Sequence, residues 1–232
     1  MNYYNEYRSS KSRWNELLTM QNKTDEERAE FRRLDTIMGE GEAIDRGECG
    51  AIPKRMARCS FDTFTADMTI RGEAEYYIEQ KKQNLEEGRN LVIQGPVGVG
   101  KTHLAVAITW RLLVERPRHK ADFWSIVDFV QMAKAVFDGD RGAKEYAEQA
   151  PTIDWLIIDD LGQERPTEWT RELIYTIVSR RYNAQRPTIV TTNLTPAEIA
   201  DRYGDPVASR LFGDGALVLA LGGKDNRIGG DR

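Results

Sequence analysis

The chain has 232 residues, of which 30% are charged and 40% hydrophobic, with a formal net charge of −4. That length suits one α/β domain plus an added segment, and the apolar share excludes a disordered chain. The mild negative charge excludes bulk attraction to polyanions, so any nucleic-acid contact has to be local.

No apolar run approaches the roughly 20 residues that span a bilayer, and Met1 to Glu6 has no apolar signal region. A soluble, cytoplasmic protein is expected. Cys49 and Cys59 have nine residues between them, and only His103 and His119 could join them around a metal. His103 belongs to a motif described below, so free thiols in a reducing cytosol are expected.

Residues 1–50 are expected to form a small helical module and a linker. Trp14, Leu17 and Leu18 make one narrow apolar face. Phe31, Leu34, Ile37 and Met38 follow the spacing of a second amphipathic helix, and Gly39, Gly41, Gly47 and Gly50 punctuate the chain after it. Such narrow stripes suit either a solvated extension or a module that docks on a partner.

The main domain is expected over residues 51–232. Residues 70–87 read as a helix closed by Gly88. Strands follow at 90–94, 123–126, 155–158, 188–192 and 216–221. Helices separate them after the Gly95 loop, at 128–137 and at 168–184. Thr195-Pro196-Ala197-Glu198 carries the cap, the first-turn proline and the reciprocal glutamate of a helix start. Strands that are apolar on both faces and alternate with helices predict a parallel five-stranded sheet flanked by helices.

Gly95-Pro96-Val97-Gly98-Val99-Gly100-Lys101-Thr102 is a G-x-x-x-x-G-K-T segment between a strand and a helix, the context in which it cradles phosphates. Its backbone N–H groups and the helix N-terminus would face the phosphates of ATP. His103 would line the same site. Lys101 would reach the β- and γ-phosphates, and Thr102 would ligate Mg²⁺.

The apolar run Trp155 to Ile158 ends in Asp159-Asp160, at the strand end where ligands bind in open parallel sheets. Asp159 would hold Mg²⁺ through a water, and Asp160 would orient or activate the attacking water. Asn193, after Thr191-Thr192, would bond that water or the γ-phosphate, although asparagine after a strand is often only a turn residue. Arg210, in Ser209-Arg210-Leu211-Phe212, would by itself read as a solvated arginine at a helix end, but in this architecture it matches an arginine finger for a neighbouring subunit, and Arg227 is a candidate second sensor in cis. Arg180 and Arg181 read better as a solvated helix end.

Together these motifs resemble the DnaC/DnaI-type replicative helicase loaders and the related IstB-like transposition ATPases. The resemblance runs through Ile52-Pro53-Lys54-Arg55, Phe61-Asp62-Thr63-Phe64, Asp159-Asp160-Leu161-Gly162, Arg181-Tyr182-Asn183 and Thr191-Thr192-Asn193-Leu194, and covers about residues 50–228. It implies an AAA+ ATPase fold without a full helical lid and self-association in the ATP state. It also implies an N-terminal module that docks on a hexameric replicative helicase, and contact with single-stranded DNA. By position it places Phe137, Thr167 and Trp169 at the DNA, where aromatic rings stack on bases without sequence preference. Trp169 would serve equally to pack its helix on the sheet. The chain departs from the pattern in having Asp160 where most AAA+ proteins have glutamate, which implies slow basal turnover. It also lacks the N-terminal cysteine cluster that some loaders carry. A helper of a transposase and a non-catalytic, ATP-latched interaction protein are the alternatives.

Overall fold

The computed structural model describes residues 68–114, 120–137 and 150–223, with 13, 16–17, 19–20, 23–31, 34, 49–50, 52–53, 55–56 and 59–64. Trp14, Leu18, Ile37, Met38 and His119 lie outside the described residues, as does the side chain of Cys49.

The strands are β1 (Cys49–Gly50), β2 (Leu91–Gln94), β3 (Ala121–Ser125), β4 (Trp155–Leu161), β5 (Thr188–Thr192) and β6 (Leu217–Ala220). All pair in parallel, in the order β1-β3-β4-β5-β2-β6. Five of them are the expected strands. The sixth, β1, falls in the segment expected to be linker and adds a two-residue edge, with Cys49 opposite Ala121.

The helices are α1 (Met68–Glu79), α2 (Lys81–Glu87), α3 (Lys101–Val114), α4 (Ile126–Phe137), α5 (Glu168–Asn183), α6 (Pro196–Tyr203) and α7 (Asp205–Phe212).

Alternation along each strand feeds two cores, because successive side chains leave opposite faces of a sheet. Leu91, Ile93, Phe123, Trp155, Ile157 and Ile189 enter one core with α1 and α3. Trp124, Leu156, Ile158 and Val190 enter the other with α4, α5, α6 and α7. Burial on both sides is why these strands read as unbroken apolar runs.

Where one helix is expected over 70–87, the chain forms two, α1 and α2. The Asn84 side-chain amide reaches back to the carbonyl of Tyr77 at 2.8 Å and stabilises the break. Gly88 closes α2 in the left-handed conformation, as expected. Thr195 and Glu198 form the full capping box of α6.

Arg181 corrects the expectation of a solvated helix end. It is 1% exposed. Its guanidinium donates to the carbonyls of Ala150, Ile153, Asp154 and Pro187 and to the Thr188 hydroxyl. It thereby ties α5 to the entrances of β4 and β5. Burial, and then the nearby Arg186, push its pKa down to about 9, still charged at neutral pH.

Near the N-terminus, residues 25–31 are helical. Thr24 and Glu27 cap this turn reciprocally, at 2.8 and 3.2 Å, so the helix starts before the apolar stripe at Phe31. Arg13 forks onto Glu30 at 3.2 and 2.9 Å, and Leu17 and Leu34 are buried. Among the described residues no helix is long and apolar enough to cross a membrane.

Candidate nucleotide site

The loop from Gly95 to Gly100 joins the end of β2 to the start of α3, beside the ends of β4 and β5. A cavity of about 640 Å³ opens there. Val97 to His103, Asp160 and Asn193 line one side of it, and Arg55, Met56, Cys59, Thr63 and Phe64 close the other. Gly100 has φ 97°, and a Cβ there would come within 3.3 Å of the Phe64 ring, so the loop and the Phe64 segment meet at van der Waals contact.

Lys101 is 5% exposed. Its Nζ donates to the carbonyls of Gly95 at 2.9 Å and Pro96 at 2.7 Å, and to Asn193 Oδ1 at 2.5 Å. The ammonium is therefore held at the mouth of the loop by two carbonyls that phosphate oxygens would replace and by Asn193. This joins two expected site residues that are 92 positions apart.

Asp159 is 7% exposed and accepts from the Thr191 hydroxyl at 2.7 Å. Burial pushes its carboxyl upward. The Thr191 hydroxyl works against that shift, Asp160 adds to it, and a bond from the Thr102 hydroxyl counters it again. A carboxylate beside a threonine hydroxyl is the oxygen donor set a hard divalent cation prefers, so Thr102 and Asp159 fit Mg²⁺.

The Asp160 carboxylate reaches the cavity because the strand bulges. The β4–β5 register shifts between Ile158 and Leu161, and Asp160 has φ 57°. Its N–H donates to the Thr191 hydroxyl at 2.8 Å. Bulges beside active sites commonly re-aim a side chain in this way. Gly162, with φ 103°, then turns the chain so tightly that a Cβ would lie 2.6 Å from Leu194 Cδ1.

Beyond that turn, Glu164 is a buried carboxylate. It accepts from the Gly162 N–H at 3.0 Å, Arg202 Nε at 3.2 Å and the Tyr203 hydroxyl, and so joins the aspartate loop to α6. Sequence reading missed Glu164, since its partners lie 38 and 39 positions away. It also missed Cys59, Thr63 and Phe64 as cavity walls, for no spacing marks them.

His103, expected at the nucleotide, lines the cavity and also anchors the opposite wall. Its Nε2 lies 3.0 Å from the Thr63 hydroxyl and 3.0 Å from the Ser60 carbonyl. Burial holds its pKa below the ordinary value, with the Ser60 carbonyl acting the other way.

Arg210 does not join this cavity. Its carbonyl accepts from the Asn90 amide at 2.8 Å, and Asn90 precedes β2 whereas the phosphate loop follows it. The two therefore lie at opposite ends of a four-residue strand, about 13 Å long.

Of the residues expected at DNA, Thr167 caps α5 by accepting from the Thr170 N–H at 3.1 Å. Trp169 is half-buried against the α4–α7 core, with Lys134 Nζ 5.6 Å from its ring. Arg227 and the side chain of Phe137 lie outside the described residues.

Over 161 residues the chain is 29% identical to the replicative helicase loader DnaC of Escherichia coli (strain K12), covering 66% of this chain and 62% of that protein. It is 30% identical over 118 residues to the replicative helicase loader DnaI of Bacillus subtilis (strain 168), covering 50% of this chain and 37% of that one. The matched stretches thus span less than two thirds of each relative's length. A crystal structure of the DnaC helicase loader aligns with a TM-score of 0.65 at 30% identity, covering 73% of this chain and 100% of the solved one. The architecture is accordingly the AAA+ P-loop fold. The family model described as IstB-like ATP binding protein matches residues 78–215, more than half of the chain, and the protein therefore belongs to the IstB-like ATP-binding family.

Proposed function

We propose that the protein is an ATP-dependent loader of a hexameric replicative helicase onto single-stranded DNA. The observation that carries this reading is the convergence of Lys101, Thr102, Asp160 and Asn193 on one cavity, with Asp159 bonded to Thr102 beside it, in a chain similar to DnaC over 161 residues.

ATP enters with its triphosphate on the loop and its base toward the Met56 and Phe64 wall. Lys101 exchanges the Gly95 and Pro96 carbonyls for phosphate oxygens while Asn193 keeps hold of it. Thr102 and Asp159 hold Mg²⁺, which when bound offsets the charge of the β- and γ-phosphates. Asp160 orients the attacking water and takes its proton. Its short side chain reaches less far than a glutamate, so basal hydrolysis is slow.

Arg210, remote from its own cavity, acts on the nucleotide of a neighbouring copy. Assembly then follows nucleotide state, because the arginine binds the ATP form better than the ADP form. Residues 1–50 dock on the helicase. Phe137, Thr167 and Trp169 contact the DNA strand, a role that the half-exposed Trp169 ring beside Lys134 supports. The cytoplasm, where the replicative helicase works, is the setting this reading requires.

The test is light scattering behind size-exclusion chromatography, with the host's hexameric helicase and with or without ATP. The full chain should form a complex, and a chain lacking residues 1–48 but retaining β1 should not. Failure of the full chain to bind any replicative helicase would overturn the proposal. The family description favours one second reading, an ATP-dependent helper of a transposase. That reading requires tight, ATP-dependent binding of duplex DNA and strong loss of affinity with salt.

A further inference from the structure

Two tyrosines on α5 are left with their rings in solvent. Tyr175 and Tyr182 are each 44% exposed, and few other large apolar side chains are as open among the described residues. Seven residues apart, they lie two turns apart on one face of the helix. The guanidinium of Arg210 lies between them, its Cζ 5.4 Å from the Tyr175 centroid and 5.6 Å from that of Tyr182. Within its own helix Arg210 donates only to the Pro206 carbonyl, at 3.2 Å. Among the described residues it forms no ion pair. The Tyr182 hydroxyl is itself held by Asp214, which pushes its pKa up.

Resting on the reading of Arg210 as an arginine that acts on a neighbour, we infer that Tyr175 and Tyr182 are positioning residues that hold its guanidinium outstretched at the protomer edge. A carboxylate partner would fix the side chain equally well but would neutralise the charge that has to meet a phosphate. An aromatic face orients a guanidinium through its quadrupole and leaves the net charge intact. The contact is also weaker than a charge-assisted bond to phosphate, so the arginine leaves the rings when a neighbour's nucleotide arrives. The backbone is fixed separately by the bond from Asn90, so the rings have only the side chain to place.

The experiment compares four proteins: the wild type, Arg210→Ala, Tyr175→Leu/Tyr182→Leu and Tyr175→Phe/Tyr182→Phe. ATP turnover is measured with oligo-dT, alone and after mixing with Lys101→Ala, which lacks a working cradle but keeps Arg210 and both tyrosines. Melting curves establish that each variant is folded. The leucine pair should lose about ten- to a hundredfold in kcat, the effect of a displaced catalytic group, with KM for ATP unchanged. The phenylalanine pair should recover most of the loss. Mixing with Lys101→Ala should restore turnover to the leucine pair, because its intact cradles then receive a well-held arginine from the neighbour.

If Arg210→Ala turns over like the wild type, the neighbour-acting arginine is wrong and the positioning role falls with it. Alternatively, Arg210→Ala is impaired while the leucine pair works normally, or loses only oligo-dT binding. In that case the tyrosines are not positioning residues, although Arg210 keeps its role. Failure of Lys101→Ala to rescue an impaired leucine pair would equally overturn the inference, by placing the defect within its own protomer.

Discussion

Asn90 offers a perturbation whose cost follows from three bonds. Its Oδ1 accepts from the Thr188 N–H at 2.8 Å, and its amide donates to the carbonyls of Arg210 at 2.8 Å and Leu211 at 3.5 Å. One side chain thus joins the start of β5 to the last turn of α7. In Asn90→Ala the Thr188 N–H, on a residue 2% exposed, is left without a partner or water, at about 1–3 kcal/mol. The Arg210 carbonyl is on a half-buried residue and rehydrates, which limits its share to about 0–1 kcal/mol. The sum, about 1–4 kcal/mol, corresponds to a fall in Tm of about 2–16 °C for a chain of this size. Asn90→Asp keeps the acceptor for Thr188 but sets a carboxylate against the negative end of α7, at about 0.5–1 kcal/mol, on top of the lost donor. Thermal melts together with hydrogen exchange separate the two. The Thr188 amide should exchange fast in the alanine variant and stay protected in the aspartate variant, whereas the end of α7 should loosen in each. An alanine variant melting within about 1 °C of wild type, with the Thr188 amide still protected, would refute the reasoning.

Lys101→Met should weaken MgATP binding by about a hundredfold, the loss of two charge-assisted bonds at about 1.5 kcal/mol each. It should barely move Tm, because the Gly95 and Pro96 carbonyls it releases belong to a half-buried and an exposed residue that water reaches; titration with a fluorescent ATP analogue checks the first point and melting the second. Glu164→Ala should cost about 2–3 kcal/mol in urea unfolding, because Arg202 loses a buried partner but is itself partly solvated. Glu164→Gln should cost less, since its one oxygen can still accept from the Gly162 N–H while its amide donates to the Tyr203 hydroxyl. Cys59 is buried and its thiol pKa is pushed up, first by burial and then by Asp159, to about 11, so at pH 8 its thiolate fraction is roughly two orders of magnitude below that of an ordinary cysteine. Iodoacetamide should modify it slowly, faster as pH rises toward that value and more slowly with ATP in the cavity; complete reaction within minutes at pH 8 would contradict its burial.

The phosphate loop, the two aspartates and the five main strands were legible because each is written in contiguous residues. A strand buried on both faces is a run of apolar side chains, and a cradle is a run of glycines before a lysine. The capping box at Thr195 was equally local. What stayed hidden depends on residues far apart. Nothing near Arg181 distinguishes it from a solvated arginine, since its carbonyl partners at Ala150 and Ile153 are some thirty positions away. The break between α1 and α2 has no glycine or proline to announce it, only the reach of Asn84 to Tyr77. The two residues of β1 are too few to carry a period. The wall from Arg55 to Phe64 belongs to the site only because His103 and Gly100 draw it there.

The bulge in β4 has a bearing on how this family tolerates insertions and deletions. Upstream of it, even-numbered residues Leu156 and Ile158 enter the core beneath α5, and downstream the odd-numbered Leu161 does so. Asp160 is therefore a phase shifter as well as a carboxylate. Exchanging its side chain alters chemistry and, at a φ of 57°, local strain, but deleting the position would turn Leu161 toward the wrong core and carry the Gly162 turn with it. Descendants of this chain are free to vary what stands at position 160 long before they are free to lose it.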